Sequence, residues 1–264
     1  DVLNGKGKIV GNNVVDIKVV CRYQELSSGS KHTCVVSDHG AQCWGINRYW
    51  PAPAKLSGQL GVPDMYVGLL PEKVTTLEPG NNSTIGNVTD IDVNGNHSCA
   101  IVNEGVKCWG LNSDSQLGID KNMINATYLP TWVTGIPADS GAVGISVGNS
   151  HSCALIKGSV KCWGDNTYGQ LGDGGVAVTQ SFTPVFALDT RGDAYYTNKV
   201  RMVASGPYHS CAIVSCGIKC WGSNTGGGLL GRNSIIQYSS KPDWVSLLGY
   251  GSGVTKVSLS ATAS

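Results

Sequence analysis

Four histidines and eight cysteines of this chain stand in one fixed frame. The frame reads HTCVVSDHGAQCWG from His32, HSCAIVNEGVKCWG from His97, HSCALIKGSVKCWG from His151 and HSCAIVSCGIKCWG from His209. In each copy a Cys follows the His by two places, and a Cys-Trp-Gly triplet closes the phrase. Imidazole and thiolate are both zinc ligands, so the frame invites a metal reading. Against it, a zinc site seldom recurs once per structural unit, and thiols paired within every copy are better used as disulfides. The histidines therefore read as turn or core residues bonded to a neighbouring loop, and neither a metal nor any other cofactor is expected.

The phrase is a β-hairpin in pattern. Two apolar, β-prone arms, residues 98–102 and 106–109 in the second copy, flank the polar turn Asn103-Glu104-Gly105. A two-residue turn sets Cys99 opposite Cys108, and likewise Cys34 opposite Cys43, Cys153 opposite Cys162 and Cys211 opposite Cys220. Cross-strand Cβ atoms on one face lie roughly 4.5–5.5 Å apart, close to disulfide reach. A type I turn with a glycine bulge would shift this register by one residue. Two cysteines stand off the pattern, Cys21 and Cys216, and a disulfide between them is expected.

The other candidate residues divide into repeated and singular ones. Trp44, Trp109, Trp163 and Trp221 recur at one position, which favours packing between units, with each indole N–H bonded to a nearby carbonyl. Trp50 sits in an aromatic and proline-rich insertion, residues 50–57, and with Trp132 forms a candidate contact surface. Asn81, Asn82, Asn87, Asn96 and Asn125 each begin an N-x-S/T sequon and are candidate glycosylation sites. Arg191-Gly192-Asp193 is an adhesion-type tripeptide that arises easily by chance. Acids such as Asp38, Glu104, Asp114, Asp120 and Asp173 fall in turns, and no nucleophile elbow, phosphate loop or zincin motif occurs. No catalytic residues are assigned, and an enzyme is not expected.

Short strands must position these residues. The copies begin 54 to 65 residues apart, a period typical of solenoids and propellers. Each Trp-Gly opens a turn-rich segment such as WGLNSDSQLG, whose Asn and Gly suggest backbone angles with φ > 0. A proline-bearing strand follows, and a linking strand leads to the next phrase. That gives about four strands per unit, with no segment of helical period. Units start near residues 23, 88, 144 and 200. Residues 254–264, VTKVSLSATAS, align with 88–98, VTDIDVNGNHS, and so begin a fifth unit. Residues 1–22 form a different hairpin that can complete it. Charged residues are only 14% and the net charge is +1, which argues against a nucleic-acid footprint. No apolar run is long enough to span a membrane. Ten cysteines and five sequons point to an oxidising, extracellular compartment.

The pattern G-x-x-H-[ST]-C … K-C-W-G-x-N-x-x-G-Q-L-G resembles the repeat of the RCC1 (regulator of chromosome condensation) superfamily, above all its cysteine-paired secreted variety. The resemblance spans about residues 23–264. It implies an all-β propeller in one domain, residues 1–264. The family usually has seven blades; the repeat count here suggests five, the fifth shared between the two ends. Family members include a nuclear exchange factor, ubiquitin-ligase modules and a secreted β-lactamase inhibitor. The nuclear role fits badly with cysteine pairs and sequons. The expected function is structural: a secreted, disulfide-stapled, glycosylated propeller that self-associates head to tail, as in an extracellular filament. The alternative is a monomeric module binding an extracellular protein or glycan through its face loops.

Overall fold

A computed structural model describes residues 23–37, 40–49, 55–63, 65–75, 88–175, 179–187, 200–225, 228–232 and 235–259. Every regular element among them is a strand. The first sheet runs β1 (Tyr23–Ser28), β2 (His32–Ser37), β3 (Gly40–Ile46) and β6 (Val67–Lys73), with a small ribbon of β4 (Arg48–Tyr49) and β5 (Lys55–Leu56) beside it. The second is β7 (Val88–Asn94), β8 (His97–Val102), β9 (Gly105–Leu111) and β10 (Ala126–Trp132). The third is β11 (Ala142–Val147), β12 (His151–Ile156), β13 (Ser159–Asp165) and β14 (Gln180–Phe186). The fourth is β15 (Val200–Ser205), β16 (His209–Val214), β17 (Gly217–Ser223) and β18 (Tyr238–Trp244). Each sheet is an antiparallel meander in chain order, so the linking strand lies at one edge and the proline strand at the other.

The linking strands are innermost. β1 touches β7, β7 touches β11 and β11 touches β15, and all four border one central cavity. The four sheets are therefore blades of a propeller. The outer strands carry Pro71, Pro130, Pro184 and Pro242, as suits an edge where a missing N–H costs no ladder bond. Between blades lie separate cores, each built from one blade's cystine and leucine and the next blade's valines, isoleucines and tryptophan.

The hairpin register is the two-residue one. Val102 faces Gly105, Cys99 faces Cys108, and the same pairing holds in the other three phrases. The four disulfides expected within hairpins are present, at Cys34–Cys43, Cys99–Cys108, Cys153–Cys162 and Cys211–Cys220, with Cα atoms 4.1 Å apart. They sit at pairs that exchange no backbone hydrogen bonds, where opposing Cα atoms come closest. The three hairpin turns whose central residues are described are left-handed at both: Asn103 and Glu104 have φ of 48° and 57°, and Ser215 and Cys216 have 51° and 59°. The twist of such a turn matches that of the strands it joins.

The linking strands share a bulge. Register shifts between Val88 and Asp90, between Ala142 and Gly144, and between Val200 and Met202. The bulge explains an uneven apolar spacing, three residues and then two, at Val88/Ile91/Val93 and at Ala142/Ile145/Val147. Val254, Val257 and Leu259 repeat that spacing, and they pack on the blade 4 core of Cys211, Ile218, Cys220 and Leu230.

Glu104 occupies a left-handed position that costs a non-glycine residue about 1 kcal/mol. Its side chain is exposed, and only its carbonyl is used, accepting from Ala142 N–H. Glu104→Gly is expected to raise the melting temperature by about 2–4 °C, measured by thermal circular dichroism; an unchanged or lower value contradicts the assigned turn.

Candidate functional site

The most elaborate chemistry in the chain lies at the seams between blades. The Gln of the GQLG turn is buried, and its main-chain carbonyl points into the seam. Trp109 Nε1 donates to the Gln59 carbonyl at 3.0 Å, Trp163 to that of Gln116 at 2.9 Å, and Trp221 to that of Gln170 at 2.8 Å. The same three carbonyls accept from Ser98, Ser152 and Ser210 at 2.8, 3.1 and 3.1 Å. Each serine also meets the histidine of the preceding blade, His32, His97 and His151, at 2.7, 2.9 and 2.9 Å from Nε2. The serine's single proton is spent on the carbonyl, so Nε2 must carry the hydrogen and donate. The imidazoles are thus neutral, with a bare Nδ1 that has no hydrogen-bond partner.

Burial holds His32, His97 and His151 down to a pKa of about 3, helped at His32 by nearby Lys31 and at His97 and His151 by neighbouring histidines. With Nε2 of His32, His97 and His151 on a serine and each paired sulfur in a disulfide, the frame at these seams is a packing device. Trp44 is the exception: it is half-buried, and among the described residues no blade precedes it.

The asparagines of Trp-Gly-x-Asn differ from expectation. None of Asn47, Asn112, Asn166 and Asn224 has a positive φ. They are buried instead, and their side chains clamp the loop. Asn112 Nδ2 donates to the Ile124 carbonyl at 2.6 Å, and its Oδ1 accepts from Leu117 N–H at 2.9 Å. Asn47 and Asn224 make the equivalent pairs of bonds. The left-handed angle falls on the preceding glycine: Gly110 has φ 113°, and a Cβ there would lie 2.6 Å from His97 Cα.

Blade 4 presents the seam half-made. In blades 1 to 3 a methyl group on Gly61, Gly118 or Gly172 would abut the next blade's indole Nε1, whereas on Gly231 it meets only Val245. Among the described residues no serine reaches His209 and no indole reaches the Leu229 carbonyl, the counterparts of His151 and Gln170. The seam is started, however. Val254 N–H donates to the Cys216 carbonyl at 2.8 Å, as Ala142 does to Glu104, and residues 256–259 border the central cavity. They have no ladder partner among the described residues.

The remaining candidates scatter. Trp132 is partly exposed on β10 with the Lys107 ammonium 4.8 Å from its ring; Lys161 over Phe186 and Lys219 over Trp244 repeat the arrangement, so it is not singular. Asn125 is exposed, while Asn96 is half-buried, accepts from Lys31 Nζ at 2.8 Å, and belongs to a sequon whose Ser98 is fully buried. Cys216 is at a turn tip and is in no disulfide with a described residue. Cys21, Trp50, Asn81, Asn82, Asn87, the tripeptide at 191–193 and the hairpin of residues 1–22 lie outside the described residues. Sequence reasoning missed the seam serines and the Gln carbonyls; the signal was the Ser or Thr that always follows the repeated His.

Four-stranded blades around a cavity, keyed by a shared His–Ser–Trp seam, define a repeat-built β-propeller. Regulator of chromosome condensation (RCC1) repeats match residues 106–155 and 157–213, and a second RCC1 repeat description matches 88–116 and 142–170. The chain belongs to the RCC1 repeat superfamily. It is 33% identical over 225 residues to "Probable E3 ubiquitin-protein ligase HERC6" of Homo sapiens, covering 83% of this chain and 20% of that protein. It is 32% identical over 152 residues to "Ultraviolet-B receptor UVR8" of Arabidopsis thaliana, covering 56% and 31%. Among solved structures, human WBSCR16 superposes with a TM-score of 0.72 at 20% identity, over 94% of this chain and 58% of that one. Yeast RCC1 (Prp20), solved bound to Kap60, gives 0.67 at 18% identity, over 91% and 56%. The chain thus spans a fifth to a third of these two relatives and under two thirds of these two structures.

The seam predicts an acid response. Unfolding frees imidazoles with an ordinary pKa near 6.5, which take up protons below that pH, while the folded ones stay neutral down to about 3. Stability should therefore fall progressively from pH 6.5 towards 3, by roughly 2 kcal/mol per histidine at pH 5. Asp90, raised to about 6 chiefly by burial, offsets part of this loss between pH 6 and 4. Urea unfolding at pH 7 and pH 5 checks the direction. Ser152→Ala, which leaves the His97 N–H without an acceptor, should cost about 1–3 kcal/mol.

Proposed function

We propose that this chain is a non-catalytic, disulfide-stapled assembly module of the extracellular space, whose fifth blade is completed by a β-hairpin. The open flank of blade 4 carries the reading. Residues 254–259 follow the inner-strand pattern, with the apolar spacing of the linking strands of blades 2 and 3 and the backbone anchor of those of blades 3 and 4. An extended segment with an unpaired edge takes up another strand readily. Residues 1–22 are the chain's own candidate. Supplied within one chain they close a ring; supplied by the next copy they build a filament, because contacts that do not close on themselves propagate. The four disulfides favour a secreted setting, where such bonds persist. In that setting a glycan belongs on exposed Asn125 and not on Asn96, whose amide is engaged by Lys31.

A second reading draws on the outer strands, whose register with β3, β9 and β13 shifts at mid-length. Leu69, Leu70, Tyr128, Leu129 and Phe182 are exposed there on successive blades. Such a row suits a monomeric module that binds a protein partner.

Light scattering and negative-stain imaging of the native protein distinguish the readings. The assembly reading expects closed discs or strings, with strings lost in Val257→Asp. Monodisperse monomers at high concentration count against the filament, and an open four-bladed particle counts against completion altogether. Peptide mass spectrometry without reduction should find Cys21 linked to Cys216; an unmodified Cys21 removes that lock. The same digest from a eukaryotic secretory host should show glycan on Asn125 and none on Asn96.

A further inference from the structure

The central cavity has a volume of 630 Å³, within the roughly 300–1,000 Å³ of small-ligand sites. Its wall is electrically sorted. Strands β1 and β7 bring Glu25, Asp90 and Asp92, all acidic, while β15 and residues 254–259 bring Arg201 and Lys256, both basic. Strand β11, which separates the two poles, carries no charge at all. These opposite charges do not neutralise one another: among the described residues the ion pair present is Arg232–Asp243, on the outer side of blade 4. Glu25, Arg201 and Lys256 are exposed to the cavity.

The acidic pole is built, not incidental. Asp92 is fully engaged, taking Ser27 and Val93 N–H on one oxygen and Val147 N–H and Ser146 on the other, and so ties three blades together. Asp90 is held by Ile145 N–H at 2.9 Å. Burial, with Glu25 and Asp92 close by, pushes the Asp90 carboxyl up to about 6. A cation placed there would relieve all three acids. A cation alone would leave Arg201 and Lys256 without a counter-charge.

We propose that the cavity binds a small zwitterion with well-separated ends, namely a short peptide with free termini, its ammonium on Glu25 and Asp90 and its carboxylate on Arg201 and Lys256. Strand β11 stands between the two poles and touches the acidic strand β7 on one side and β15 on the other, so the charged ends of the ligand must be well separated; three extended residues reach roughly 10 Å, several times the charge separation of a single amino acid. Leu26 and Val143, both exposed on the wall, tolerate small side chains between the ends.

Calorimetric titration of the whole protein with triglycine tests this, alongside N-acetyl-triglycine, triglycinamide and glycine. Triglycine should bind in the sub-millimolar range. Each cap should weaken binding about tenfold, and glycine should bind more weakly still. Asp90→Asn keeps an acceptor for Ile145 N–H and should mimic loss of the ammonium contact, with a melting temperature equal to or above that of the native protein because a buried charge is removed; Arg201→Ala, at an exposed side chain, should mimic loss of the carboxylate contact with an unchanged melting curve. Equal binding of capped and uncapped peptides overturns the proposal, as does absence of triglycine binding to the native protein. Retained affinity in a folded Arg201→Ala variant places the carboxylate elsewhere and also overturns it. The assembly state, read by light scattering, is a separate outcome.

Discussion

Each of the three complete seams among the described residues hangs on one main-chain carbonyl that receives two donors from the next blade. Gln59, Gln116 and Gln170 supply it; a tryptophan N–H and a serine O–H converge on it, and a histidine completes the serine. The site is buried, so each of these bonds is stronger than in water, and an unmade one is correspondingly costly. The indoles are fully buried as a result, contributing on the order of 2–3 kcal/mol apiece through apolar burial. Shape and polarity must both match, which fixes the angle at which one sheet meets the next.

The rest of the blade serves that convergence. The GQLG loop can aim its carbonyl only because the buried asparagine clamps it from both sides. The glycine after tryptophan lets the histidine backbone approach. The cystine behind the indole stiffens the hairpin that delivers both donors, and in blades 2 and 3 its sulfur lies 3.7 Å from the next blade's serine hydroxyl. Disulfide, clamp and key are thus one unit repeated, with blade 1 lacking a predecessor and blade 4 lacking the complete successor among the described residues.

Much of this was legible in the sequence because it is local. Cys99 and Cys108 face each other as a direct consequence of a two-residue turn, and the all-β architecture follows from short alternating arms with no helical period. The packing role of Trp109, Trp163 and Trp221 could be read from recurrence alone. What could not be read depends on partners distant in the chain. Asn112 looked like a backbone-angle residue and is a side-chain clamp, because its partners Ile124 and Leu117 are brought near only by the folded loop. The charged poles at Asp90 and Arg201 were invisible, since a bulge in each linking strand decides which residues face the cavity.

Every cystine in the described blades is internal to a single hairpin, its two sulfurs nine residues apart along the chain. Among the described residues no such covalent bridge joins one blade to another. A duplication or deletion of one whole repeat therefore carries both thiols with it and leaves none stranded. Lineages of such proteins are free to change their number of blades by unequal recombination without first solving a new oxidative folding problem.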